Sequence, residues 1–314
     1  MANEKDHGPR LGADPELFVQ DAEGTCVPVC GKIGGTKAEP IIINHLVEAA
    51  FGPERGRPRL RGMGIDVASE HEGNYAMQED NVMLEFNVPA HKDGTFFVDS
   101  INKALNVLEM NVLLDKGLRP RYEVMHTFKA EDIAPFPQAF TVGCMADMNA
   151  YAEDERFERH PFEAAHFGNH RFCGGHLHVQ YNHGIVPRHI FAQFMDIFAE
   201  LPFMRWDKQK MRRLFYGQPG LYREKPYGIE YRTTSNFWLT KAFREKWLGH
   251  LADNVIMLAK TANTDPEQLR QAYGKIDWSD VQKAIRDEDV KLADEIVNFV
   301  RNKIGLYVCS PASR

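Results

Sequence analysis

Several features are scarce or missing from this sequence. The 314 residues contain only five cysteines, and an odd number in so long a chain excludes a disulfide scaffold. No apolar run reaches the roughly 18 residues that a membrane-spanning helix needs. The first ten residues are charged and lack the apolar segment of a secretion signal. The sequence therefore predicts a reduced, cytoplasmic protein with no membrane partner.

Excess positive charge is also missing. Lysine and arginine number 38 against 44 aspartates and glutamates, for a net charge of −6. This balance gives no direct signal for a nucleic-acid partner. No internal repeat and no long Pro/Ser-rich linker divides the chain. We expect a disordered leader over residues 1–10, a single domain over 11–314, and an exposed Pro/Arg-rich loop over 52–61.

Strands and helices are mixed in the first three quarters of the chain, and helices dominate the rest. Alternation of apolar and polar residues predicts a strand over 82–88, and helical spacing predicts a helix over 97–116. A second helix is predicted after Pro187, and strand character returns over 228–238. From residue 240 to 314 the pattern is largely helical. Because there is no regular βαβ alternation, the order predicts an α+β fold.

Two histidines one residue apart follow a glycine pair. His176 and His178 alternate with apolar residues, and Gly174 and Gly175 precede them. If the apolar residues face a core, a strand places both imidazoles on its other face, roughly 6.5 to 7 Å apart. Such a pair suits one polar site in which one histidine binds a metal ion and the other contacts the ligand of that ion. A polar strand face with two ordinary histidines is the alternative.

Acidic residues recur in strand-like contexts. Asp14 and Glu16 share a face directly before an apolar strand, Glu85 lies on the polar face of the strand over 82–88, and Glu230 shares a face with Arg232. Each also has an ordinary interpretation, namely a solvated turn, an exposed strand glutamate and a surface ion pair of small energy. Taken together, carboxylates from several strands with one imidazole suit Mg²⁺ or Mn²⁺ better than structural zinc.

A further acid precedes Glu85, and two residues compete for that position. A strand that runs straight through favours Glu79, because Glu79 has the same parity as Glu85. A turn at Asp80 and Asn81 favours Asp80 instead. The sequence leaves both open.

Arginines cluster around a glycine-containing loop over 216–220. Their planar guanidinium groups suit recognition of phosphate or carboxylate. Arg212 has an equally good interpretation as part of a basic helix end. Metals flanked by arginines are the usual device for transferring a phosphoryl group. The cluster comprises Arg212, Arg213, Arg223 and Arg232.

The order of these motifs resembles the glutamine synthetase and glutamate–cysteine ligase superfamily. It is most similar to the phage-type carboxylate–amine ligases, the phiEco32-like COOH.NH2 ligases of type 2. The similar segments read GADPELF at 12–18, GTK at 35–37, DNVMLEFN at 80–87, GGHLH at 174–178 and YGIEYR at 227–232.

The resemblance implies both a fold and an activity. The fold is a glutamine synthetase-like curved antiparallel sheet lined by metal ligands, with helices packed behind it and a helical C-terminal part over 240–314. The activity is an ATP-dependent ligation of a carboxylate and an amine through an acyl phosphate, with two or three Mg²⁺ or Mn²⁺ ions. The implied partners are small-molecule or peptide acids and amines, and the oligomeric state stays open, a homo-oligomer included.

The resemblance also assigns roles to residues. Metal binding goes to Asp14, Glu16, Asp80, Glu85, His176 and Glu230. Nucleotide binding goes to His178, Lys37, Arg212, Gly174 and Gly175. Stabilisation of charge on the transferring phosphoryl group goes to Arg232, Arg213 and Arg223. We further expect the glycine pair to form an open wall that the acid substrate approaches.

The sequence departs from the synthetases at some points. Asp14 stands where they have glutamate, the second acidic strand is more tightly spaced, and no segment matches their ammonia-gating loop, so free ammonia is not the expected amine. Two alternative functions stay open on the same fold. One is a guanidino-kinase-like phosphotransferase, and the other is a non-catalytic metal-binding virion or scaffold protein.

Overall fold

The computed structural model describes residues 8–52, 73–140, 148–152 and 168–311. Residues 1–7 of the predicted leader lie outside the described residues. So do residues 53–61 of the predicted Pro/Arg-rich loop.

Thirteen strands occur in the described part of the chain. They are β1 (Arg10–Ala13), β2 (Glu16–Gln20), β3 (Cys26–Val27), β4 (Ile41–Ile42), β5 (Ala76–Asp80), β6 (Met83–His91), β7 (Arg119–Arg121), β8 (Met125–Thr127), β9 (Met148–Asn149), β10 (His170–Phe172), β11 (Leu177–Gln180), β12 (Leu221–Lys225) and β13 (Gly228–Tyr231).

Ten α-helices occur in the same ranges. They are α1 (Asn44–Phe51), α2 (Gly94–Val107), α3 (Ala130–Ile133), α4 (Arg188–Met195), α5 (Lys210–Phe215), α6 (Lys241–Lys246), α7 (Leu248–Thr264), α8 (Pro266–Tyr273), α9 (Trp278–Asp287) and α10 (Val290–Phe299).

Eleven strands form one antiparallel sheet, which confirms the mixed α+β class. The main path runs β3-β2-β6-β1-β11-β13-β12-β9, with β5 and then β4 extending from β6, and β7 paired with β2. The remaining two strands, β8 and β10, pair separately. Strands β1 and β2 are separated by only two residues, and both pair with β6. The middle of the sheet is therefore built from segments far apart in sequence.

The alternation seen in the sequence decides which face of the sheet is buried. In β6, Leu84, Phe86 and Val88 are almost fully buried in the main hydrophobic core, which also contains Val179 of β11 and Ile229 of β13. Burying each such side chain stabilises the fold by about 1.5–3 kcal/mol. Helices α2, α4 and α7 pack against these strands. The polar positions of the same strands therefore share the opposite face.

Helix boundaries follow local chemistry that the periodicity only approximates. The predicted helix over 97–116 begins earlier, because the side chain of Asp93 accepts hydrogen bonds from the amides of Thr95 and Phe96. It then continues through a π-helical segment and a 3₁₀ turn to Gly117, whose φ of 68° ends it. The predicted strand over 228–238 is too long: β13 ends at Tyr231, and a 3₁₀ turn occupies Asn236–Leu239.

The helical C-terminal part agrees with the predicted order. Asp265, Asp277 and Asp289 each cap the helix that follows them through side-chain hydrogen bonds to backbone amides. None of the helices in the described ranges has the length and apolar character needed to cross a bilayer.

Candidate active site

The register of the sheet lines up charged side chains across one face. His178 of β11 lies opposite Glu230 of β13, which lies opposite Arg223 of β12. Residues directly opposite each other in antiparallel strands point to the same side. On the other flank of His178 the opposite residue is Gly12, which has no side chain. Arg223, Glu230 and His178 thus stand in a row on the face opposite the helices.

Two residues of this row, together with Asp14, form the first group of side chains that could hold a metal ion. Asp14, His178 and Glu230 each offer one ligand atom, and these atoms lie within 4.8 Å of one another. His178 Nε2 is 2.9 Å from Asp14 Oδ1. His176 Nδ1 is 3.4 Å from the same oxygen and 3.7 Å from Glu230 Oε1. We call Asp14, His178 and Glu230 the histidine group, and both predicted histidines contact its aspartate.

The second group consists of three carboxylates, Glu16, Asp80 and Glu85. Their ligand atoms also lie within 4.8 Å of one another. Glu16 of β2 pairs directly with Glu85 of β6, and the amide of Gly174 donates to Glu16 Oε2 at 2.6 Å. Lys37 Nζ lies 2.7 Å from Asp80 Oδ2. Glu85 Oε2 is buried, and no donor among the described residues hydrogen-bonds to it. Ionisation of all three carboxylates of this acid group would therefore place more negative charge here than Lys37 neutralises.

The hairpin between β5 and β6 places Asp80, not Glu79, in the acid group. The chain turns at Asn81, which has a φ of 59°, and Asp80 pairs with Met83 while Gln78 pairs with Glu85. Asp80 and Glu85 therefore share a face. Glu79 points elsewhere and accepts hydrogen bonds from the amides of Gly31, Ile33 and Gly34 at 2.8, 3.0 and 2.9 Å.

Glu79 holds the loop that carries Lys37, and this predicts a local effect. Glu79→Gln removes the negative charge and replaces one carboxylate oxygen by an amide nitrogen, which cannot accept a hydrogen bond. We expect the free energy of unfolding to fall by about 1.5–3 kcal/mol, the range for hydrogen bonds to a charged group. Amide hydrogen exchange at Gly31, Ile33 and Gly34 should accelerate. Glu39→Gln, an exposed glutamate in the same loop, is the control, and equal exchange in both variants would contradict this role.

Three cations surround Glu230. Arg232 Nη1 contacts Glu230 Oε1. Arg223 Nη1 lies 3.4 Å from the same oxygen, and Lys225 Nζ lies 3.0 Å from Oε2. We call Arg223, Lys225 and Arg232 the cationic trio. Lys225 was not predicted from the sequence, although it shares the strand face of Arg223. The histidine group is thus surrounded by positive charge, whereas the acid group is not.

Two tyrosines that the sequence analysis missed hold the two histidines. The hydroxyl of Tyr216 contacts His176 Nε2 and accepts from Arg232 Nη2 at 2.9 Å. The hydroxyl of Tyr227 contacts His178 Nδ1. Each imidazole therefore turns one nitrogen toward Asp14 and the other toward a phenol, which fixes the ring orientation.

Two carboxylates of each group have shifted pKa values, and the direction differs between the groups. In the acid group, burial and the charge of Asp80 raise the pKa of Glu16 to about 7 and that of Glu85 well above its usual value. Burial also opposes ionisation of Asp14 and Glu230. The charge of His178 nevertheless lowers the pKa of Asp14, and the cationic trio lowers that of Glu230. One group is therefore poised to accept a cation, and the other is already ionised.

The two histidines also differ in their pKa shifts. Burial and the nearby charge of Arg232 lower the pKa of His176 to about 4. Burial acts in the same direction on His178, but the Asp14 carboxylate outweighs it and the net shift is upward. His176 is thus a neutral imidazole over the physiological range, which is the form that binds metals.

The neighbouring arginines Arg212 and Arg213 are buried away from both groups. Arg213 Nη2 lies 2.5 Å from Glu200 Oε1, in a network that includes Asp207. Arg212 donates to the carbonyls of Thr233 at 2.6 Å and Thr234 at 2.8 Å. Within the described residues, the hydrogen bonds and ion pairs of these two arginines go to such structural partners, and none goes to the acid or histidine group.

The glycine pair is a point of close packing and does not form the expected open wall. A Cβ at Gly175 would come within 2.1 Å of the carbonyl oxygen of Ser235 and 2.4 Å of Trp238 Nε1, and a Cβ at Gly174 within 2.3 Å of His176 Nε2. The expectation was wrong because a glycine pair in a sequence indicates close packing but does not show whether a ligand or another part of the chain packs there. Here the neighbours are the chain's own backbone and side chains.

One family model matches part of the chain. Residues 162–303 match the family model described as phage phiEco32-like COOH.NH2 ligase-type 2. The matched part contains His176, His178, Glu230 and the whole cationic trio, while the acid group lies outside it. The match confirms the resemblance to phage-type carboxylate–amine ligases. No curated protein matches the chain.

Proposed function

We propose that this protein is an ATP-dependent ligase that joins a carboxylate to an amine through an acyl phosphate. One observation carries the proposal. An acid group of three carboxylates and a histidine group beside three cations are joined by the short segment Asp14–Glu16, beside one face of the antiparallel sheet. The first suits divalent cations, and the second suits the anionic phosphates of a nucleotide.

The residues of the acid group fit Mg²⁺ or Mn²⁺. Hard cations prefer carboxylate oxygens, and Glu16, Asp80 and Glu85 supply them within 4.8 Å of one another. The buried Glu85 Oε2 lacks a donor among the described residues, so a cation would satisfy it. The histidine group offers ligands for a further ion. When bound, such ions neutralise the phosphates and hold attacking and leaving oxygens in line.

The cationic trio would hold the phosphoryl group. Arg232 and Arg223 present guanidinium donors beside Glu230, and Lys225 adds a point charge. The substrate carboxylate oxygen would attack the γ-phosphorus of ATP, and ADP would leave. The amine would then attack the acyl carbon, lose a proton and displace phosphate. The trio stabilises negative charge in both steps.

An isotope experiment tests this sequence of bonds. The chain is incubated with ATP, Mg²⁺ and a panel of carboxylates labelled with ¹⁸O, with hydroxylamine as a general amine. A ligase gives ADP, a hydroxamate, and phosphate that carries one ¹⁸O from the carboxylate. In a parallel incubation with guanidino compounds, a stable phosphorylated guanidine formed together with ADP and without release of phosphate would favour the phosphotransferase alternative. Absence of ADP across a broad panel of acids and amines would reject the proposal.

Single variants of the two histidines separate their roles. The resemblance gives the metal to His176 and the nucleotide to His178, whereas the geometry groups His178 with Asp14 and Glu230. We expect His178→Ala to weaken Mn²⁺ binding by about 10-fold or more, and His176→Ala to weaken it less. Calorimetric titration with Mn²⁺ measures both. A larger loss in His176→Ala would support the assignment from the resemblance, and equal losses would make both residues ligands.

A further inference from the structure

A third set of metal-ligand side chains lies apart from the acid and histidine groups. Cys26 of β3, Glu123 and His126 of β8 offer a sulfur, an oxygen and a nitrogen within 4.8 Å of one another. They come from segments almost a hundred residues apart. Cys26 is buried, whereas the side chains of Glu123 and His126 keep 29% and 23% of their surface exposed. Both side chains are thus partly open to solvent, although Glu123 Oε1 itself is buried.

We propose that Cys26, Glu123 and His126 form a zinc site distinct from the ligase site. Thiolate, imidazole and carboxylate are the three ligand types that Zn²⁺ uses in proteins, and a water molecule would complete a tetrahedral site. The thiol would bind as thiolate, so its proton leaves to solvent as the Zn–S bond forms. The thiolate and the carboxylate together balance both charges of the ion. The soft sulfur distinguishes this site from the two groups that suit Mg²⁺.

Neighbouring groups already orient two of these residues, Glu123 and His126. His126 Nδ1 lies 2.7 Å from Glu123 Oε1. The imidazole ring packs edge-on against Phe128, with ring centroids 4.7 Å apart. Arg121 Nη2 donates to Glu123 Oε2 at 3.0 Å. Arg121 Nε also lies 2.7 Å from Glu123 Oε1. If Oε1 turned from Arg121 to the metal, Oε2 would keep its bond to the arginine, which is the usual arrangement of a ligating carboxylate and its outer partner.

The protonated thiol is the competing state. Burial and the charge of Glu123 raise the pKa of Cys26 to about 12, so without metal the thiol stays neutral at physiological pH. If no metal binds, these residues form only an ordinary ion pair between Arg121 and Glu123 beside a buried, protonated thiol. Only metal binding predicts that Cys26 is ionised at neutral pH.

The position of the site gives it a structural consequence. A bound ion would fasten the segment containing β7 and β8 to β3. Asn236 Nδ2 donates both to the backbone carbonyl of Glu123 at 3.3 Å and to that of Glu16 at 2.9 Å. The zinc site would therefore brace a backbone segment that is one side chain away from the acid group.

Cobalt spectroscopy of the full chain tests the proposal. Co²⁺ replaces Zn²⁺, and only a sulfur ligand gives a thiolate-to-cobalt charge-transfer band. Co²⁺ held by carboxylates and imidazoles alone gives no such band, so the acid and histidine groups do not contribute to it. We expect one thiolate-bound Co²⁺ per chain, displaced by Zn²⁺. The band should be absent in Cys26→Ser and present in Cys30→Ser, since Cys30 is a buried thiol of the same small hydrophobic cluster outside the ligand set.

A second variant keeps the test decisive if Cys26→Ser does not fold. His126→Asn leaves the thiol in place, and we expect the Co²⁺ dissociation constant to rise at least 10-fold. Absence of the charge-transfer band in the unmodified chain would overturn the proposal, as would an unchanged Co²⁺ dissociation constant in His126→Asn. Because ADP release is not part of the measurement, this result is independent of whether the protein is a ligase.

Discussion

Replacing Glu85 by glutamine is expected to abolish turnover and, without metal, to stabilise the fold. Glu85 lies directly opposite Glu16 on the adjacent strand and close to Asp80, with one buried oxygen that no donor of the described residues reaches. Glutamine removes the charge repulsion and can donate to a neighbouring carboxylate. We expect the metal-free free energy of unfolding to rise by about 1–3 kcal/mol.

The same substitution removes one of the proposed metal ligands, so the proposed ligase activity should fall by roughly 100-fold or more, at least the loss seen when an outer partner of a ligand is removed. Urea unfolding with a chelator and with Mg²⁺ measures the stability, and ADP release measures the activity. Mg²⁺ should stabilise the unmodified chain more than the variant.

The pH dependence of this stability difference has a defined sign. Burial and the nearby carboxylates raise the pKa of Glu85 in the folded state. Ionising it therefore costs the folded state more as the pH rises above the ordinary glutamate range. The stabilisation in Glu85→Gln should be larger at pH 8 than at pH 5.

Glu79→Gln is the matched control for Glu85→Gln, because it makes the same chemical change on the adjoining strand. It should destabilise the chain, since Glu79 accepts three backbone hydrogen bonds. A loss of metal-free stability in Glu85→Gln, together with retained activity, would contradict the role of the acid group.

Arg232→Lys is expected to lower kcat by about 100- to 1,000-fold, the cost of removing one donor from a site of developing charge. Lysine cannot reproduce the fork that reaches both Glu230 and Tyr216. The free energy of unfolding should change less than the activation free energy does, because Arg223 and Lys225 still neutralise Glu230.

Arg212→Lys provides the contrast. Arg212 is equally buried and lies over the same Tyr216 ring, with its guanidinium 4.8 Å from the ring centroid against 5.3 Å for Arg232. Its bonds go to backbone carbonyls, so its loss should cost about 3 kcal/mol of stability. The fraction of the Arg212→Lys variant that folds should keep most of the kcat of the unmodified chain. The interpretation would be wrong if Arg232→Lys retained full kcat or if Arg212→Lys lost kcat at unchanged stability.

The acids of the site were predictable because strand alternation determines the face of each residue. Glu85 followed from the polar parity of β6, and Asp80 followed once a turn at Asn81 was considered. The sequence could not choose between Glu79 and Asp80, because the choice depends on whether a two-residue turn forms, and that is set by pairing with β6. The α+β class likewise followed from the order of elements.

Other members of the site left no local signal. Tyr216 and Tyr227 contact the histidines only because the loop after α5 and the β12–β13 hairpin return to β11. The adjacent arginines 212 and 213 look equivalent in sequence, yet successive residues of a helix point about 100° apart. One guanidinium therefore reaches backbone carbonyls and the other reaches Glu200. Partners so distant along the chain are fixed by tertiary packing, which no short pattern encodes.

The segment Asp14-Pro15-Glu16 contributes one carboxylate to each of the two groups. The amides of Asp14 and Glu16 both donate toward the backbone before β11, at 3.4 and 2.9 Å, while the carbonyl of Pro15 accepts from Phe86 of β6 at 3.2 Å. Proline is tolerated because its nitrogen is not needed as a donor there, and its ring fixes φ. The separation of the two groups is therefore a rigid backbone length, so an ion and a phosphate bound at them would keep one spacing throughout a reaction cycle.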